Sequence, residues 1–302
     1  MVFPDSDLSS FIHLYDSSMK VVTWNIEGAF PGTPREKVKR QVDFLGTYDE
    51  PPDVIMLQEA GVYRRELLRE ELRDSGYRGI EDTLEWAAEL RNSSIQPHHD
   101  IGHSNGNLTA VRQKDALTLE RQGIYDGVAA DADAKHFSTN APEKILVTTY
   151  ETGERNIELW NVRAVPGSMH GEEKIKILED VYDRITKDEQ KLRVLAGDFN
   201  TPDDELADGQ AIAHAWDKDA DVRKRWLNAE LNILKGLGHA GMVDVFRYLH
   251  GYGDLDIADT SWGNNRFDHI FASEALNPIK CYYDHDGLEY SDHAPMVAEF
   301  NL

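Results

Sequence analysis

The feature that most limits how this chain can fold is the number of short strand-like runs spread along its whole length. "KVVTWNIE" (20–27) sets Val22, Trp24 and Ile26 against Thr23, Asn25 and Glu27, the period of two of a strand. "DVIMLQE" (53–59), "NLTAVRQ" (107–113), "KILVTTYE" (144–151), "IELWNVRAV" (157–165), "LRVLAGDFN" (192–200), "FDHIFAS" (267–273), "IKCYYD" (279–284) and "APMVAEFNL" (294–302) read the same way. About ten strands are too many for one comfortable open sheet, so two sheets packed face to face are expected. "TGERN" between the runs at 144–165 signals a hairpin, which makes part of the sheet antiparallel. Helical spacing lies between the strands. Ile175, Leu178, Val181, Tyr182 and Ile185 form one apolar stripe, Leu227, Leu231 and Leu234 a second, and Leu68 with Leu72 a third. Pro34 suits the first residue of a helix beginning "PREKVKRQV". The expected organisation is an N-terminal extension over 1–19, with Met19 a candidate natural start, and one domain over 20–302. A helix followed by a mobile loop is expected near 78–106, and a helical insertion near 203–238.

Composition narrows the class. Of 302 residues 40 % are hydrophobic, enough for a sizeable core and against wholesale disorder. The single cysteine, Cys281, forbids an internal disulfide and points to a reducing, cytoplasmic setting. No apolar run approaches the ~20 residues of a membrane span, and residues 1–19 lack the basic start of a signal peptide. A monomer is expected. Asp and Glu outnumber Lys and Arg by 55 to 32, for a net charge of −23. The acid is dispersed rather than gathered into a tail, as a halophilic cytoplasmic protein would have it. At ~1 M salt the Debye length is only ~3 Å, so such a surface repels itself little. The same charge weighs against nucleic acid as a partner, although phosphate affinity from lysine patches is lost in high salt anyway.

Polar residues collect where strands end. Asn25 and Glu27 close the first run, Glu59 the second, and Asp198 with Asn200 a later one. Asp268 opens another, and "SDHAP" (291–295) precedes the last. Side chains two apart share a face, so Asp198 and Asn200 project together while Phe199 packs the other way. Asp and Asn often end strands as turn residues, but five such ends plus an Asp-His pair point to one shared pocket.

These residues carry a resemblance. "TWNIEG", "LQE", "GDFNTP", "RFDHIFAS" and "SDHAP" resemble, in order, the motif series of the endonuclease/exonuclease/phosphatase superfamily. The resemblance implies an α/β (α+β) fold, a four-layer α/β/β/α sandwich of two mixed, mainly antiparallel sheets flanked by helices. It implies a hydrolase in which Mg²⁺ or Mn²⁺ assists the attack of water on a phosphate ester, and hard oxygen ligands suit those ions. Glu59 is the implied metal ligand, with Asn25 assisting at metal or phosphate and Asp292 sharing the ion. Asp198 would orient and deprotonate water, and Asn200 would hold the phosphate or the nucleophile. His293 would donate to a phosphate oxygen, with Asp268 fixing its tautomer and raising its pKa. Asn107, in "SNGNLTAV", matches the family's "GN" strand start and is a candidate phosphate contact.

One departure stands out. Where the family commonly carries His or Tyr before a Pro loop, this chain has Arg163 and Ala164 in "NVRAVPGS". Arg163 can brace a phosphate bidentately but is a poor acid, or it makes a surface salt bridge. His170, in "SMHG", is a candidate substitute or a solvated loop residue. His98, His99, Asp100 and His103 fit no common zinc spacing and read as an exposed loop. Trp262, in "TSWGNNRFDHIFAS", can stack on a base or sugar, or merely pack its loop. Three readings stay open at this stage. The first is a phosphodiesterase of DNA or RNA, the second an esterase for a smaller phosphorylated molecule of inositol-phosphate or sphingomyelin type, and the third a non-catalytic binding protein.

Overall fold

The computed structural model describes residues 18–28, 32–92, 104–112, 119–121, 137–152, 155–187, 191–213, 215, 219–253 and 256–302. In chain order the elements are β1 (Ser18–Asn25), α1 (Arg35–Leu45), β2 (Val54–Gly61), α2 (Arg65–Asp74), β3 (Tyr77–Asp82), α3 (Leu84–Asn92), β4 (Asn105–Arg112) and β5 (Leu119–Arg121). There follow β6 (Ile145–Thr152), β7 (Arg155–Arg163), α4 (Gly167–Lys187), β8 (Leu192–Asp198), β9 (Asp204–Glu205), β10 (Ala211–Ile212) and α5 (Ala220–Leu234). The chain closes with β11 (Met242–Asp244), α6 (Val245–His250), β12 (Asp268–Ser273), β13 (Pro278–Tyr283) and β14 (Met296–Asn301).

One sheet runs β13-β14-β1-β2-β4-β3 and the other β11-β12-β8-β7-β6-β5, with β9 and β10 a separate ribbon. Each large sheet has one parallel pair, β1 with β2 and β7 with β8, and antiparallel pairs elsewhere. A parallel pair needs a crossover, and α1 and α4 supply the two. The outer face of the first sheet buries Val22, Trp24, Ile55 and Leu57 beneath Val38, Val42 and Leu45 of α1 and Leu68 and Leu72 of α2. The outer face of the second buries Trp160, Val162 and Leu195 beneath Ile175, Leu178 and Val181 of α4 and Trp226 and Ile233 of α5. The layers are helix, sheet, sheet, helix, as the motif resemblance implies.

Between the sheets the strands' alternate residues meet. Read from one end of this inner face, β1 presents Met19, Val21, Thr23 and Asn25, and β2 presents Val54, Met56 and Gln58. β7 presents Ile157, Leu159 and Asn161, β8 Val194, Ala196 and Asp198, and the antiparallel β12 Ala272, Ile270 and Asp268. Every one of these strands passes from apolar to polar in the same direction. The apolar half is core; the polar half ends at the site.

Several details differ from the sequence reading. Of the stripe Leu227, Leu231 and Leu234 only Leu234 is buried; the packed face of α5 is Trp226, Ala229, Glu230, Ile233 and Leu234, with Leu227 39 % exposed. Pro34 caps α1 from just outside it. Within 78–106 the expected helix is α3, but β3 precedes it and was missed, because a register shift between Tyr77 and Gly79 breaks its alternation. The short β5 and β11 are too brief to show a period of two, and β1 begins at Ser18. Residues 203–238 hold the β9–β10 ribbon and α5. The loop expected after α3 lies outside the described residues.

Gly197, just before Asp198, sits at φ +145°, and a Cβ there would lie 1.8 Å from the Val162 carbonyl oxygen on β7. Only glycine fits this strand junction. Gly197→Ala is expected to cost about 2–4 kcal/mol of stability, read as a lower urea midpoint; an unchanged midpoint would contradict this packing.

Candidate active site

The polar ends of the inner face converge because of register and two local backbone devices. Asp198 pairs across the sheet with Asp268 on one side and Arg163 on the other, so three charged residues share one rung. The register of β2 on β4 shifts between Leu57 and Ala60, and Glu59 has φ +53°. Such a bulge re-aims a side chain, and here it lets Glu59 face the cavity although its neighbour Gln58 points between the sheets. Asn200 reaches Asp198 by a turn rather than by strand alternation. β8 stops at Asp198, and Asn200 has φ +49°. Its backbone N–H donates to Asp198 Oδ1 at 2.9 Å and its Nδ2 to Asp198 Oδ2 at 3.0 Å.

Asn25 links the two carboxylates, with Nδ2 donating to Asp198 Oδ2 at 3.0 Å and to Glu59 Oε1 at 3.2 Å. His293 Nδ1 lies 2.7 Å from Asp268 Oδ2, which leaves Nε2 as the free ring nitrogen. Glu59, Arg163, Asp198, Asn200, Asp292 and His293 line a cavity of about 350 Å³, together with Pro166, Gly167, Ser168, Trp262 and Phe267. Trp262 is 42 % exposed, stacks on Phe267 at 5.5 Å and donates Nε1 to Asp292 Oδ2 at 3.2 Å.

The electrostatics follow from burial and partners. Desolvation raises the Asp198 carboxyl to about 6, with Asp268 adding to it and His293 and Arg163 opposing. Burial alone would depress the His293 imidazole, but Asp268, by charge and hydrogen bond, raises it to about 10. For Glu59, burial works against ionisation, yet Arg163 and the Asn25 hydrogen bond win and hold it below the usual carboxylate range. At neutral pH the site therefore holds ionised Glu59 and Asp198 facing protonated His293 and Arg163.

Buried groups with no role assigned from the sequence hold this arrangement. Trp24 Nε1 donates to the His293 carbonyl at 2.8 Å, and Ser291 Oγ to the Asn25 carbonyl at 2.7 Å, tying the last loop to β1. Ser261 Oγ accepts the backbone N–H of Asp268 at 3.0 Å. Lys174 on α4 donates to the Asn200 carbonyl at 2.7 Å and to Glu230 of α5 at 2.5 Å. Glu230 also accepts from Thr201 Oγ1 at 2.5 Å and Trp226 Nε1 at 2.6 Å. α5 thus braces the turn that carries Asn200. The only signal for this in the sequence is charge placed within apolar stripes.

Of the residues singled out in the sequence, Asn25, Glu59, Asp198, Asn200, Asp268, Asp292, His293, Arg163 and Trp262 come together. Three do not. Glu27 turns away from the cavity and pairs with Lys37 of α1 at 2.6 Å. Asn107 is fully buried between the sheets, its Nδ2 donating to the carbonyls of Lys144 at 2.7 Å and Asn161 at 2.9 Å. It ties the sheets together rather than facing the cavity. His170 sits at a kink in α4 with non-helical angles and is absent from the cavity wall. Arg163 makes neither a surface salt bridge nor an open contact: it pairs with Glu59 within the cavity wall. His98, His99, Asp100 and His103 lie outside the described residues.

The donor set fits a divalent cation. Glu59, Asp198 and Asp292 offer hard oxygens to one cavity. Ligand atoms of Asp198, Asp268 and His293 lie within 4.8 Å of one another, and Asp268 Oδ1 is buried without a hydrogen-bond partner.

A profile of the Endonuclease/Exonuclease/phosphatase family matches residues 22–293. No curated protein sequence matches significantly. Among solved structures, humanized D. rerio TDP2 superposes with a TM-score of 0.61 at 19 % identity, over 94 % of this chain and 99 % of that one. An AP endonuclease from Archaeoglobus fulgidus gives 0.57 at 17 % identity over 94 % and 100 %. A substituted form of the Neisseria 3′ phosphatase NExo, bound to a product DNA hairpin, gives 0.53 at 20 % over 94 % and 100 %. At these identities the likeness establishes the fold.

The Asp268–His293 contact yields a direct test. In Asp268→Asn the imidazole loses its charged partner, and its pKa is expected to fall from about 10 towards the ordinary value of about 6.5. NMR titration of the ring protons reads this; a value that stays near 10 would contradict the assignment.

Proposed function

The chain belongs to the endonuclease/exonuclease/phosphatase family and is a hydrolase of phosphoester bonds, and from that premise we propose that it is a divalent-metal-dependent phosphodiesterase of nucleic acid. The observation that carries the reading is the meeting of Asn25, Glu59, Asp198, Asn200, Asp292 and His293 from separate strand ends and loops around one cavity, with Asp268 behind His293.

In this reading Asp198 takes the proton from the attacking water. Its carboxylate is held by Asn25 and Asn200, so it is oriented before substrate arrives. The imidazolium of His293, fixed through Nδ1, offers Nε2–H to a non-bridging phosphate oxygen and stabilises the charge that builds there as phosphorus becomes five-coordinate. Glu59 and Asp292, with Asn25, would hold Mg²⁺ or Mn²⁺, which when bound polarises the phosphoryl group and neutralises developing charge. Trp262 on Phe267 offers a flat wall to a base or sugar beside the phosphate.

Nucleic acid is favoured by the half-exposed Trp262 at the cavity rim. Related folds support it: one neighbour, D. rerio TDP2, is complexed with single-strand DNA product, and the Neisseria 3′ phosphatase with a DNA hairpin. The net charge of −23 favours the second reading, a smaller phosphorylated molecule, because a polyanion is repelled by such a surface at low salt. We place the protein in the cytoplasm, where the lone buried Cys281 needs no disulfide partner. Among the described residues no helix is long and apolar enough to cross a membrane.

The deciding assay uses Mg²⁺ or Mn²⁺ at low and high salt, with abasic duplex, single-stranded DNA, RNA and small phosphomonoesters. Asp198→Asn is expected to lower kcat about 10²–10⁴-fold or more; retained turnover would overturn the reading, and the preferred substrate decides between the two. The pH profile has a stated form. Asp198 must be deprotonated, so kcat/KM rises as pH passes about 6; His293 must be protonated, so it falls as pH passes about 10.

A further inference from the structure

Arg163 stands where the family's usual residue is a His or Tyr, and its surroundings give it two competing partners. As the last residue of β7 it lies opposite Asp198 in the parallel register. Its Nη2 pairs with Glu59 at Oε1, the same oxygen that accepts from Asn25. The side chain is 12 % exposed, lines the cavity, and has a buried Nε without an acceptor. A guanidinium carries five N–H donors in a rigid fork and is always charged. Here one arm of the fork is engaged on Glu59, while the buried Nε has no acceptor. A phosphate, with oxygens spaced to accept a fork two at a time, is the partner such a group satisfies best. A divalent cation on Glu59 would meet the guanidinium at the same carboxylate, and two cations sharing one oxygen repel.

We propose that Arg163 is a clamp shared between Glu59 and the substrate phosphate: a divalent cation taking Glu59 displaces the guanidinium, which turns onto the phosphate, so that cation and phosphate bind cooperatively. This rests on the reading of the site as a metal-dependent phosphoesterase. It makes Arg163 a linker of two binding events rather than a replacement for the missing His or Tyr, since a group that is never deprotonated cannot pass a proton to the leaving oxygen. The coupling is also reciprocal: phosphate that draws Arg163 away exposes Glu59 to the cation, and each ligand strengthens the other by the same factor.

The test is Mn²⁺ binding by calorimetry to the full chain, with and without inorganic phosphate. Wild type is expected to bind Mn²⁺ about fivefold or more tightly when phosphate is present. Arg163→Gln is expected to bind Mn²⁺ more tightly than wild type without phosphate, because the competitor is gone, and to lose most of the phosphate effect. Arg163→Lys keeps the charge and loses the fork. It should keep wild-type Mn²⁺ affinity without phosphate and show weaker coupling, and it serves as the second variant if Arg163→Gln does not fold. Unchanged or weaker Mn²⁺ affinity in Arg163→Gln, or coupling fully retained in Arg163→Gln or Arg163→Lys, overturns the proposal while leaving the metal site standing. Mn²⁺ binding that survives Glu59→Gln unchanged overturns the metal-site reading itself, and the clamp with it.

Discussion

Two sheets packed face to face must fill their shared inner surface, and whatever is polar there must find partners away from water. In this protein the filling changes character along the strands. Met19, Val21, Val54, Met56, Ile157, Leu159, Val194 and Ala196 make an apolar half. Thr23, Asn25, Gln58, Asn107, Asn161, Asp198 and Asp268 make a buried polar half beside it. The apolar half supplies the burial that fixes strand register, since a slip by one residue would turn every side chain to the other face. Fixed register then places the polar half. Gln58 donates to Asn161 Oδ1 at 2.9 Å and to Thr23 Oγ1 at 2.9 Å, and Asn161 donates back to the Leu57 and Leu108 carbonyls, so the two sheets are also hydrogen-bonded together just below the cavity. The site thus stands on rigid elements rather than on loops alone.

That placement creates an electrostatic problem whose solution is the chemistry. Asp198 and Asp268 face each other across adjacent strands, and like charges there are destabilising. The imidazolium of His293 answers Asp268, while Asn25, Asn200 and Arg163 surround Asp198 and Glu59. Removing one member of a charged pair, Asp268 with His293 or Arg163 with Glu59, would leave the other charge uncompensated, which costs far more than the pair gains. The same balance separates the two carboxylates by role. Asp268 is committed to His293, whereas Asp198 keeps a raised pKa and a place on the cavity wall. Catalytic poise and structural tension have one origin.

Much of this was legible in the sequence because the polar residues sit at the ends of period-two runs. Asp198 and Asn200 were placed on one face from spacing, Asn25, Glu59 and Asp268 were placed at strand ends, and the motif order supplied the roles of Glu59, Asp292 and His293. What escaped was set by features that spacing does not encode. Glu59 faces the cavity through a bulge, and Asn200 through a left-handed turn. β3 was hidden by its own irregularity, and the packed face of α5 departs from the leucine stripe because it includes a charged residue, Glu230, that is wholly buried against Lys174. Asn107 kept the motif's place but points into a polar seam between the sheets. The partner of Arg163 was invisible for a simpler reason: Glu59 lies on the opposite sheet, far away in sequence.

The proposed function depends on a single cation site at the polar end of the inner face. Crystals soaked in Mn²⁺ and measured at the manganese edge give the most direct answer. The account predicts an anomalous peak within coordination distance of the Glu59 carboxylate, on the cavity side, with Asp198 and His293 across the same space. A peak elsewhere on this acidic surface, with no density at Glu59 under saturating Mn²⁺, would contradict it.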